Sequence, residues 1–177
     1  MFEPIQEAPL LHTEAGLAPD GDGWFIVNVA DAAGLQSKRF GDGCRFEGST
    51  RFEELGFNVR VLQPGQPASL YHRETAAEAF LVIAGECVAI VEDLERPMRA
   101  GDFLHAPPGT AHVLVGAGDG LCVIAMAGAR KEAVELLYPE SAVAARHGAS
   151  AEVETADPAI AYAGTPPPTA APISATW

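Results

Sequence analysis

Between Phe57 and Met126 the chain is cut into short apolar runs, each closed by a turn signal, with no stretch of helical period among them. FNVRVL (57–62) alternates, with Phe57, Val59 and Val61 on one face and Asn58 and Arg60 on the other, the period of two of a half-buried strand. PGQP follows as a turn. Leu70 to Glu74 reads as a short strand, TAA (75–77) as the next turn, and AFLVIAG (79–85) and CVAIVED (87–93) as two strands around Gly85 and Glu86. RAGD then turns into FLHA, PPGT into HVLV, and GAGDG into LCVIAMAG. Strands recurring at intervals of roughly 8–12 residues predict an all-β sandwich or barrel and argue against a βαβ sheet. The 18 glycines and 14 prolines serve as this punctuation.

The flanks differ from this body. Residues 1–23, with the turn-like PDGDG, read as an N-terminal arm, and WFIVNV (24–29) as a strand candidate. Ala30 to Gly56 is irregular, with edge strands expected around Cys44 to Phe46. The barrel is therefore placed over residues 24–128, followed by an extension over 129–177. In that extension KEAVELLYPESAVAARHG (131–148) has patches of helical spacing broken by Pro139. It ends in a Pro/Ala-rich tail, TPPPTAAPISATW, expected to be partly extended.

Charge narrows the partners. Eleven basic against 24 acidic residues give a net charge of −13. Such a surface repels phosphate backbones and anionic lipids, so neither nucleic acid nor a membrane is expected as a partner. Cys44, Cys87 and Cys122 are too few and too widely spaced for a disulfide framework or a CxxC zinc site, and are expected to be reduced and unpaired. MFEPIQEAPLLH lacks a basic n-region, and no run approaches the roughly 18 apolar residues of a membrane helix. A cytoplasmic location is the expectation.

The residues that carry chemistry lie in two clusters, Gly65-QPASLY-His72-R-Glu74-TAA-Glu78-AFLVIA-Gly85 and Gly101-DFLHA-Pro107-P-Gly109-TA-His112. His72 and Glu74 stand two apart on a strand and so leave the same face. The turn at 75–77 brings the next strand back with Glu78 at its head, and PPGT starts another with His112 at its head. Two imidazoles and a carboxylate on neighbouring strand ends can converge on one divalent ion, and that donor set suits Fe(II) as well as Zn, Mn or Ni. Glu78, opening an apolar strand, would be a costly buried charge unless paired or bound to a metal. Glu74 is open between three readings: a fourth ligand, a general base, or a solvated rim residue. His105 reads as structural, and Tyr71 and Arg73, on the opposite face from His72, as packing or surface groups. Phe80, Val82 and Leu114 share parity with the ligands and are expected to line a ligand pocket inside the barrel. Arg60 and Arg73 fall on the other parity, which favours a small apolar or weakly polar ligand over a phosphosugar.

These two clusters resemble the paired motifs of the cupin superfamily, G-x5-H-x-H-x3,4-E-x6-G and G-x5-P-x-G-x2-H-x3-N. His72, Glu78 and Gly85 match the first, and Gly101, Pro107, Gly109 and His112 the second. The resemblance implies a double-stranded β-helix, or jelly-roll barrel, with the metal inside it. Three departures stand out: Glu74 replaces the second histidine, six residues separate Gly65 from His72 where five are expected, and Gly116 replaces the last asparagine. The functions such a chain can carry are a metal-dependent enzyme (oxygenase, isomerase or lyase), a non-catalytic binder of a small molecule, and an interaction module. AFLVIAG and LCVIAMAG are apolar on both faces, so the outer face needs a cover. A homodimer is expected, with the chain's own arm and residues 129–148 as the alternative cover.

Overall fold

The computed structural model describes residues 3–173, so Met1, Phe2 and residues 174–177 of the tail lie outside the described residues. The strands are β1 (Leu10–Thr13), β2 (Gly16–Pro19), β3 (Gly34–Gln36), β4 (Asp42–Arg45), β5 (Leu55–Leu62), β6 (Arg73–Glu74), β7 (Glu78–Ala84) and β8 (Glu86–Val91). They continue with β9 (Leu94–Arg99), β10 (Phe103–Ala106), β11 (His112–Ala117), β12 (Cys122–Ala129), β13 (Leu136–Leu137) and β14 (Thr169–Ala170). Two four-residue helices, α1 (Ala142–Ala145) and α2 (Pro158–Ala161), interrupt the extension. No helix among the described residues is long and apolar enough to cross a membrane.

Seven strands form one sheet in the order β10-β7-β12-β5-β4-β3-β14, and three form another in the order β11-β8-β9. The main core lies between them. Leu62, Phe80, Val82, Cys122 and Ile124 come from the larger sheet and meet Cys87, Ala89, Met98 and Leu114 from the smaller. Phe80 and Val82 are 2% and 1% exposed, whereas Leu81 and Ile83 between them are 41% and 44% exposed, which is the alternation that the sequence of β7 predicts.

The turns follow residue chemistry. Val91 pairs with Leu94, so Glu92 and Asp93 form a two-residue loop, and both take positive φ, 48° and 59°. That is the twist a tight hairpin demands. Gly85 has φ +74°, and a Cβ there would stand 2.1 Å from the Leu121 carbonyl oxygen, so no other residue fits without displacing backbone.

Three expectations need correction. Trp24–Val29 forms no strand: Trp24 makes one bridge to Glu7, and Val27 and Val29 pack against Val59, Val61 and Val123 on the outer face of the large sheet. That face needed cover, and irregular chain supplies it together with Phe46 and Ile173. Next, β9 escaped the sequence reading because LERPMR carries charges and a proline. Pro97 is tolerated because β9 is an edge strand paired only to β8. Third, Arg60 does not point away from the core. It pairs across with Ile124, and Asn58 with Met126, so both share the inward face of Ile124 and Leu62. A strand around Cys44 is present as β4, but it lies inside the sheet between β5 and β3 and not at an edge. The arm holds a β1–β2 hairpin, and the Pro/Ala-rich tail is extended, with β14 pairing onto β3.

Candidate metal centre

His72 and His112 face each other across an antiparallel bridge. His112 N donates to His72 O at 2.8 Å and His72 N donates to His112 O at 3.2 Å. This mutual pair brings the rings to 5.0 Å between centroids. Glu78 opens β7, where Gly128 is its partner on β12. Its Oε2 lies 3.0 Å from His112 Nε2 and 3.6 Å from His72 Nε2. One ligand atom from each of the three residues falls within 4.8 Å of the others.

The second nitrogen of each ring decides what the first can do. His72 Nδ1 lies 2.8 Å from the Leu70 carbonyl oxygen and His112 Nδ1 lies 3.0 Å from that of Thr110. A carbonyl only accepts, so each Nδ1 carries the proton, and in the neutral ring Nε2 presents a lone pair. Two lone pairs and a carboxylate then converge with no cation among them. Consistent with that, Glu78 Oε2 and His112 Nε2 are buried without a hydrogen-bond partner. Buried orphans of this kind are costly, and a divalent ion coordinated by all three removes the cost. The donor set and the orphaned atoms therefore fit a metal. Held by protons alone, the site would sit as an ion pair. Burial pushes the Glu78 carboxyl up, but the hydrogen bonds to His112 and His72 outweigh it and bring the group down to about 2. At His72 burial disfavours the charged ring, and Glu78 more than offsets it, raising the pKa.

The remaining sequence candidates separate. Glu74 is not in the three-residue group; its carboxyl is raised by burial first and by the charge of Glu78 second. It stands where β6 pairs with β13 and lines two clefts there. Phe80 meets His112 edge-on at 5.1 Å, while Val82 and Leu114 lie wholly within the main core. His105 is exposed on β10, away from the group. Tyr71 is buried, accepting from Asp93 N at 3.1 Å, and Arg73 is exposed.

Sequence reading missed the extension's contribution. Tyr138 is buried 5.9 Å from the His72 ring and stacks edge-on against Tyr162 at 5.5 Å, so residues after Gly128 roof the centre. Two tyrosines in an otherwise Ala-rich segment were the available signal. It also missed a group of arginines, Arg45, Arg51 and Arg130, around Gly56 and Asn58.

Comparison with known proteins agrees with this architecture. A family model described as Cupin domain matches residues 58–128. No curated protein matches the chain. Among solved structures, a sugar phosphate isomerase from a cupin superfamily of Silicibacter pomeroyi is 23% identical, with TM-score 0.50, over 61% of this chain and 66% of that one. The polyketide cyclase RemF of Streptomyces resistomycificus is 13% identical, with TM-score 0.53, over 63% and 83%. A Cupin 2 conserved barrel domain protein of Salinispora arenicola is 18% identical, with TM-score 0.50, over 73% and 98%. The chain spans 66% of the isomerase and 55% of an Acidithiobacillus ferrooxidans protein, less than two thirds of either. At these identities the likeness is one of fold. The family match lies across the strands that carry Glu78 and His112, so residues 58–128 form a cupin domain.

Proposed function

We propose that this protein is a metal-dependent enzyme: it holds one divalent ion on His72, Glu78 and His112 and acts on a small molecule bound beside it, as an isomerase or an oxygenase. The two sheets are read as the walls of a jelly-roll barrel around that site. The observation that carries the reading is the convergence of His72 Nε2, His112 Nε2 and Glu78 Oε2, with two of the three atoms buried and otherwise unpartnered. A bound divalent ion supplies Lewis acidity and open positions for a substrate oxygen or for O₂. The chain's own groups do the rest. Leu70 and Thr110 carbonyls hold both rings in the tautomer that presents Nε2. Phe80 and Tyr138 wall the site with apolar surface and limit water. Glu74, with its raised pKa, is the group suited to take or give a proton beside the substrate.

Metal analysis of protein purified without chelator, beside a His72→Ala/His112→Ala variant, tests the centre. About one equivalent in the parent and almost none in the variant is expected; equal content in both removes the proposal. An oxygen-consumption screen with Fe(II) then separates the oxygenase from the isomerase.

A further inference from the structure

We propose that the cleft bounded by Arg45, Arg51 and Arg130 is an anion subsite of the metal centre, and that the substrate is a small molecule carrying a carboxylate or phosphate group; this rests on the metal-centre reading of the previous section. The cleft holds about 550 Å³, and its lining sets three arginines against one carboxylate, that of Glu47. Three of the chain's 11 basic residues meet at this one cleft, in a sequence with 24 acidic ones.

Glu47 does not cancel it. Its two oxygens grip the Arg130 guanidinium, Oε2 accepting from Nη2 at 2.8 Å and Oε1 from Nη1 at 2.5 Å. That pair is locked together, and Arg45 and Arg51, both exposed, remain to receive an anion. A further polar group faces the same cleft. Asn58 Oδ1 is buried there with no hydrogen-bond partner, an acceptor suited to a hydroxyl or acid hydrogen of the ligand.

The sheet register joins this cleft to the metal ligands. Gly56 on β5 pairs with Gly128 on β12, which pairs with Glu78 on β7. Both intervening residues are glycine. A Cβ on Gly128 would lie 3.8 Å from Glu78 Oε1, and a Cβ on Gly56 would lie 3.4 Å from Arg130 Nε. The row from Glu78 to Arg130 is thus floored by backbone alone. Two strand spacings separate Glu78 from Gly56, about 10 Å. A molecule of a few carbons can therefore place one end on the ion and its anionic end among the arginines. The two glycines put no side chain of their own between Glu78 and Arg130.

Titration calorimetry of the full chain as purified, at low ionic strength, with inorganic phosphate and with succinate, tests this. At least one anion is expected to bind at millimolar strength or better, weakening as salt rises. Arg45→Gln/Arg51→Gln should weaken it at least tenfold with metal content unchanged. His72→Ala/His112→Ala should lose metal yet keep the anion. Tighter phosphate assigns a phosphate ester, and tighter succinate a carboxylic acid. The proposal is overturned if neither anion gives a binding signal up to about 10 mM, or if the arginine variant binds like the parent. It is equally overturned if the histidine variant alone loses the anion, which would place the anion on the ion itself. Equal metal in parent and histidine variant, with arginine-dependent anion binding intact, would sink the metal reading alone.

Discussion

Glu74 and Glu78 stand four residues apart and are pushed in opposite directions, Glu74 up and Glu78 down to about 2. Both are partly buried, so burial is not what separates them. Glu78 lies against two imidazoles, whose charged forms favour its ionised state, while Glu74 feels chiefly burial and the charge of Glu78. Paired carboxyls whose environments diverge suit divided roles, one held ionised and the other available for proton transfer. Glu74→Gln is accordingly expected to keep its metal, measured by elemental analysis, and to lose turnover by about 100-fold or more once a substrate is in hand. Retained turnover would return Glu74 to the rim. At this scale the triad was legible because its spacing is short and periodic: Glu78 and His112 head β7 and β11, and His72 stands just before β6, beside turns that can be read directly. Arg45, Arg51 and Arg130 were not, because β4, the loop after it and the end of β12 meet only through sheet register. Arg60 was misplaced by a related limit. Alternation along FNVRVL gives two faces but does not say which is inward when both are covered, and the outer face of β5 proved to be buried under Val27, Val29 and Phe46.

Among elements, the β8–β9 hairpin does more than reverse the chain. Glu92, in left-handed backbone, donates its N–H to Ala111 O at 2.9 Å and accepts from Ala111 N on its Oε1 at 2.7 Å. Ala111 precedes His112, so a strained turn clasps the start of the ligand strand. Glu92→Ala leaves the strain and removes the side-chain bond. A loss of about 1–2 kcal/mol in urea unfolding is expected, with weaker metal retention on dialysis. An unchanged midpoint would show that the clasp is dispensable. A second staple joins the loop after β4 to the end of β12: Glu47 accepts from Arg130 and from Phe52 N at 2.8 Å, and Arg130 also reaches Phe52 O. The Arg130 bond holds the Glu47 carboxyl below its ordinary range. A lowered pKa means that the stabilisation is complete above the unfolded value near 4.5 and fades as pH falls through the folded one. Glu47→Gln should thus cost about 1 kcal/mol at pH 7, a gap to the parent that closes on acidification below about pH 4. A gap independent of pH would assign the loss to packing.

Across the whole molecule, the outer face of the large sheet is covered unevenly. The chain's own irregular segment and Ile173 cover the β12-β5-β4 part, while Leu81, Ile83 and Phe103 on β7 and β10 stay 41%, 44% and 63% exposed. Phe103 pairs with Leu81 at the open edge of that sheet. A second copy packed on this patch is expected, so that light scattering at micromolar concentration should give about twice 18.5 kDa, and Phe103→Glu should return the monomer. A clean monomer for the parent would rule the dimer out. At the opposite edge, β14 pairs Thr169 and Ala170 with Gln36 and Leu35. During synthesis the strand at Leu35 leaves the ribosome long before its partner does. At ordinary elongation rates its neighbour arrives on the order of ten seconds later. For that interval one flank of the nascent sheet offers bare amides and carbonyls to any other unfinished chain, so translation speed, as well as sequence, bears on how much of this protein reaches the folded state.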